Sequence, residues 1–214
     1  MSRRWDAGVR WYTDLVAPPT EGTRAVDLAF VRDKHQRVFN DDIEDEWLEH
    51  AIIAATSQCE HFTRRALLPQ TWAMVLDRFP ACEIVLQKPP LLEVVSIVYI
   101  DADGAEQTLS AASYRVVKPA GPMCGRGQVE PLYNEQWPSA RVQRDAVTVT
   151  FRAGYVQVGT SPEVVEIPIG LRHGIATRVA ELYKQRSDSV IGFGINMMPA
   201  VVGSRQQWHD YAVY

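Results

Sequence analysis

The chain has 214 residues, 46% of them hydrophobic and 22% charged, with 22 Lys and Arg against 26 Asp and Glu and a formal charge of −4. That length suits one domain with a sizeable core, and scattered basic residues exclude a tight grip on nucleic-acid phosphates, which needs clustered cations. There is no run of about 18 uncharged apolar residues, which excludes a membrane-spanning helix, and no apolar stretch follows Arg3-Arg4 as a secretory signal would require.

Residues 1–24 read as an irregular N-terminal arm punctuated by Pro18-Pro19. It carries Trp5, Trp11 and Tyr12, residue types that anchor protein interfaces, so these are expected to meet a neighbour. Residues 27–39 predict a short helix through Leu28, Val31, His35 and Val38, with Asp27 as its N-cap. The clearest predicted helix spans 41–65. Asp41, Asp42, Glu44, Asp45 and Glu46 load its positive end, and Leu48, Ile52, Ala55, Cys59 and Phe62 trace one apolar stripe. Arg64 and Arg65 close it, and Pro69 stops it.

From residue 70 to 155 the period falls to 2. Strands are predicted at 71–79, 83–86, 94–100, 107–109, 114–117 and 146–152, rich in β-branched and aromatic residues. Asp103-Gly104 predicts a type I′ hairpin turn. Residues 118–145 hold several prolines and glycines and read as a long loop, functional or mobile. Pro168 then opens a second long helix over 168–186, striped by Leu171, Ile175, Val179 and Leu182. Gly170 and Gly174 lie four apart on it, a spacing that permits close backbone approach. Residues 187–214 lack a regular period yet are too apolar for a solvated tail, so they need a covering surface. The fold class expected is α+β: a helical core with two long helices, an inserted antiparallel β-unit, and extended terminal arms.

Signs of chemistry are few. Asp101-Ala102-Asp103-Gly104 resembles the start of a calcium loop, but position 112 is Ala where a bidentate Glu is needed. Gly192-Phe193-Gly194 and Gly125-Arg126-Gly127 are incomplete as nucleotide-binding fingerprints. The 5 histidines are His35, His50, His61, His173 and His209. His50 and His61 sit about 16 Å apart along one helix, too far to share a metal. Cys59, Cys82 and Cys124 show no zinc spacing. No catalytic residue, cofactor or metal is expected.

Several phrases, in this order, resemble the head–tail connector (adaptor) family of long-tailed bacteriophages and gene transfer agents, in its β-insert branch. They are AIIAATSQCEHFTRRALLPQTW (51–72), Phe79-Pro80 leading to Lys88-Pro89-Pro90-Leu91, VVSIVYIDADGAEQTLSAASYRV (94–116), Trp137-Pro138 leading to AVTVTFRAGY (146–155), and IPIGLRHGIATRVAELYKQR (167–186). The resemblance implies an N-terminal arm (1–24), a connector domain (25–186) and a C-terminal docking tail (187–214). It further implies a ring, typically a dodecamer, in the neck of a virion or phage-like particle assembled in the host bacterial cytoplasm. The ring would join the portal protein to stopper or tail terminator proteins, with DNA passing through its lumen without specific binding and no membrane involved. Trp208, Tyr211 and Tyr214 are expected to anchor the tail on the portal. The alternatives are another neck or tail component, such as a stopper or terminator, and a small-molecule-binding or hydrolytic module with 118–145 as its lid.

Overall fold

Strand-period and helix-period segments segregate in space. The computed structural model describes residues 9–34, 45–157, 159, 163–184 and 202–213. One unit comprises Met1–Glu21 and Leu68–Tyr155, and the other Gly22–Leu67 and Val156–Tyr214. With helices and antiparallel sheets both present, the fold is α+β.

In chain order the first unit holds β1 (Trp11–Ala17), β2 (Gln70–Leu76), β3 (Ile84–Val85), β4 (Leu91–Ile100), β5 (Glu106–Thr108), β6 (Tyr114–Val117), β7 (Gln128–Pro131) and β8 (Val147–Ala153). The main sheet runs β1-β2-β8-β4-β5, all neighbours antiparallel, and a smaller sheet runs β3-β7-β6. β8 is central, and its alternation places Val147, Val149, Phe151 and Ala153 inside with Thr148, Thr150 and Arg152 between them half-buried. Register aligns Leu76, Met74 and Trp72 of β2 with Val147, Val149 and Phe151, so one face of the sheet is continuous apolar surface. Ile84 pairs with Val129 in the smaller sheet, and both are fully buried.

Three sequence expectations change here. The arm at 1–24 is not irregular throughout: residues 11–17 are a strand, held at the sheet edge by β2. The 118–145 loop contains β7, whose Pro131 sits at its last position, where the missing amide costs least. The hairpin is not type I′. Its turn closes with Gly104 N donating to Asp101 O (3.1 Å), and Gly104 has φ +90° whereas Asp103 is not left-handed. That is a turn followed by a left-handed glycine, the three-residue hairpin solution.

The second unit holds α1 (Leu28–Lys34), α2 (Asp45–Thr63), α3 (Ile169–Lys184) and α4 (Val202–His209). Asp27 Oδ1 accepts from Phe30 N (2.7 Å), the expected cap of α1. The α2 stripe buries Leu48, Ile52, Ala55 and Cys59, and that of α3 buries Leu171, Ile175 and Val179. α2 ends at Thr63, earlier than expected, because Arg64 turns left-handed at φ +58°. Asp41, Asp42 and Glu44 lie outside the described residues, as do residues 35–40 of the first predicted helix and residues 185–201 of the tail.

Candidate assembly surfaces

β1 carries mostly apolar and aromatic side chains and one charge, Asp14, before Pro18-Pro19 end it. Opposite β2, it leaves Trp11 43%, Tyr12 46%, Leu15 46% and Val16 58% exposed. Trp11, Thr13 and Leu15 continue the core face of the sheet by register, but no further described strand covers them. Asp77 N donates to Arg10 O (3.2 Å), so ladder alternation turns the main chain of Thr13 and Leu15 away from β2. Among the described residues no strand pairs with this edge, which is seven residues long, apolar on the Trp11 and Leu15 face, with Asp14 between Tyr12 and Val16 on the other and a bulge only near its end, between Leu15 and Ala17.

At the start of this edge lies a cavity of about 370 Å³ lined by Arg10, Trp11, Tyr12, Asp77, Arg144 and Asp145. The Tyr12 hydroxyl donates to Asp145 Oδ1 (3.1 Å), and that bond to a carboxylate holds the phenol above its usual pKa. No described residue pairs with the guanidinium of Arg10 or Arg144. A second exposed apolar feature is Tyr133, 92% exposed beside Leu132 on a turn closed by Glu135 N donating to Leu132 O (2.9 Å), with Asn134 left-handed at φ +62°.

The C-terminal aromatics have a different placement. Trp208 is 1% exposed and lies against α3, its ring 6.2 Å from that of Phe62. Gly174 gives it room, and Gly170 does the same for Tyr211. Arg65, itself buried, donates from Nε to Tyr211 O (2.6 Å), and Val213 N donates to Thr63 O (3.1 Å). The stretch expected to be a docking tail is, from Val202 to Val213, part of its own helical unit. Burying the indole removes a large apolar surface from water and, with the hydrogen bonds to Tyr211 and Thr63, offsets part of the entropy lost in ordering this segment. Trp5 and Tyr214 lie outside the described residues.

The groups inspected for chemistry are dispersed. Asp101 Oδ1 accepts from Asp103 N (3.0 Å) and Ala105 N (2.9 Å), and Oδ2 accepts from Gln107 Nε2 (3.0 Å). Its oxygens are committed to the hairpin. The Gln107 bond first, then those from the backbone, lower its pKa. Burial drives the Cys59 thiol upward, far from a thiolate. His50, His61, His173 and His209 are all exposed, and no cluster of three or more metal-ligating side chains occurs among the described residues. No described helix is long and apolar enough to cross a membrane.

Set against solved structures, the whole architecture has counterparts. The fold is similar to that of chains in gene transfer agent particles. A chain from the neck of the empty GTA particle, computed with C6 symmetry, matches with a TM-score of 0.68 and 23% identity, covering 95% of this chain and 96% of that one. A chain from the virion of the native gene transfer agent particle matches at 0.68 and 22%, covering 94% and 95%. One from the neck of the native GTA particle, computed with C12 symmetry, matches at 0.65 and 20%, covering 95% and 96%. No protein-family model and no curated protein matches the sequence. The shared architecture therefore extends over nearly the full length of both chains.

Sequence reasoning missed Arg10, Arg144 and the open edge itself. The signal was present in Trp11–Ala17, a β-branched and aromatic run bounded by a double proline. It also missed Arg65 as a buried clamp, since an arginine after a helix ordinarily reads as a solvated end.

Proposed function

We propose that this chain is a structural subunit of the neck of a tailed phage or phage-derived particle, an adaptor that forms a homo-oligomeric ring, of twelve copies in the dodecameric reading. The observation that carries this is the likeness of fold, over 95% of the chain, to neck chains of gene transfer agent particles. Rotational symmetry in those necks supports a ring, because a closed ring repeats one heterologous interface until the rotation completes. The ring joins the portal protein to stopper or tail terminator proteins, in a particle assembled in the bacterial cytoplasm. Its net charge of −4 suits a lumen along which DNA slides without adhering. The role is mechanical, and no bond is made or broken.

The exposed aromatics Trp11 and Tyr12 serve as neighbour contacts in this reading, together with Trp5 and Tyr214. Trp208 and Tyr211 act indirectly, by holding α4 in place. Electron microscopy of the particle, with this chain tagged, tests the proposal. Density for the tag in a ring directly below the portal is the expected result. A tag found on the capsid, on the tail tip or absent from particles overturns it.

A further inference from the structure

We propose that the main sheet continues from copy to copy, with the β5 edge of one subunit pairing with the β1 edge of the next. This rests on the ring reading above and names the interface that closes it. A side-to-side ring needs two different, opposed surfaces on each subunit. The main sheet has two such edges, β1 and β5, at opposite ends of one strand order. Every residue of β5 is exposed, and so is every residue of β1 except Thr13.

Strand direction fits. Each neighbouring pair in the sheet is antiparallel, so β1, β8 and β5 run the same way. Rotation about an axis roughly along the strands preserves that direction and brings β5 beside the next copy's β1 as a parallel pair. Charge fits as well. Glu106 opens β5 and is exposed. A parallel pairing sets it beside the start of the neighbour's β1, where Arg10 and Arg144 line the cavity. None of these side chains has an ionic partner among the described residues of its own chain. Exposed pairs of this kind set register and partner choice more than affinity. β5 has three residues, so the pairing fixes register, and the apolar side chains of β1 supply the buried area.

The test uses full-length chain in a Cys82→Ser background, because Cys82 is the exposed thiol among the three cysteines. One preparation carries Asp14→Cys and another Thr108→Cys, positions whose side chains fall on the same face of the sheet by register. Both positions lie on edge strands, and circular dichroism checks that each variant is folded. Mixing and oxidising the two is expected to give a disulfide-linked dimer of unlike copies, while each alone stays monomeric on a denaturing gel. Asp14→Cys and Thr108→Cys in one chain should give a ladder of linked copies. Glu106→Arg or Arg144→Glu alone should lower the yield of the product, and the two together should restore it.

Cross-linking of Asp14→Cys copies with each other, indicating twofold β1–β1 pairing, overturns the inference. So does an absence of linked product, both in concentrated protein and in assembled particles, or a failure of the charge exchange to rescue. Electron microscopy that moves the chain out of the neck overturns the neck reading and leaves a positive cross-link standing. A neck ring without the cross-link overturns this pairing alone.

Discussion

A Cβ built on Gly174 would lie 2.2 Å from Nε1 of Trp208, closer than any side chain tolerates. The approach of α4 to α3 therefore depends on a missing methyl group, and Trp208, the largest fully buried side chain among the described residues, rests on a glycine. One turn earlier the same relation holds between Gly170 and the Tyr211 ring. Glycines four apart on a helix face thus make a seat for two aromatics that follow 34 and 41 residues later in the sequence.

Gly174→Ala should destabilise the helical unit. Overpacking costs about 1–3 kcal/mol, and the gain in helix propensity returns about 1 kcal/mol. A lower urea midpoint, followed by the helical circular dichroism signal, is the expected readout. Gly203→Ala is the control: its nearest neighbour would be Glu181 Oε1 at 3.4 Å, an ordinary contact, so stability should hold or rise.

Ser204 is fully buried, and its Oγ has no hydrogen-bond partner. An unsatisfied buried hydroxyl costs about 1–3 kcal/mol. Ser204→Ala should therefore raise the unfolding midpoint. A drop in stability would show that the hydroxyl makes a bond in solution.

Arg65→Ala and Arg65→Lys should both weaken the docking of the C-terminal segment. The buried guanidinium donates to the Tyr211 carbonyl, and a charge-assisted bond is worth about 1.5–3 kcal/mol. Lysine lacks the planar fork and does not replace it. Faster amide exchange at residues 208–213, read by mass spectrometry, checks this.

Gly127 and Leu91 are coupled across the strand unit. A Cβ at 127 would meet Leu91 Cδ2 at 2.4 Å. Gly127→Ala should cost about 1–3 kcal/mol alone, and Leu91→Ala about 2–5 kcal/mol. The double variant should lose less than the sum, because losing Cδ2 and Cγ removes two of the three close contacts and leaves only that to Cβ at 2.7 Å. A denaturant double-mutant cycle measures the difference.

Asp101 should titrate below an ordinary carboxylate, as its hydrogen-bond donors favour the charged form. With the folded pKa depressed, its contribution to stability is present above the unfolded pKa of roughly 3.9 and is lost as pH falls through the folded value. Carbon-detected NMR of the carboxyl group gives the midpoint. Asp101→Asn should remove part of the acid sensitivity of the hairpin.

Period alone located most of this molecule. The α2 and α3 stripes and the alternation of β8 are visible in sequence, because each repeats the geometry of its own element. The residues of β1 and β7 were harder. Trp11–Ala17 has no clean alternation, as an edge strand is exposed on both faces, and β7 hides among prolines and glycines.

The order of residues by itself determined the α+β class, the Asp27 cap of α1 and the presence, though not the type, of the hairpin, since these depend on neighbours within a few positions. Only the tertiary structure decided which strand became an edge and which aromatics went inside. Exposure at an edge is set by what fails to pair beside it, and burial of Trp208 by a glycine on another helix. Both are properties of distant partners, which local pattern does not encode.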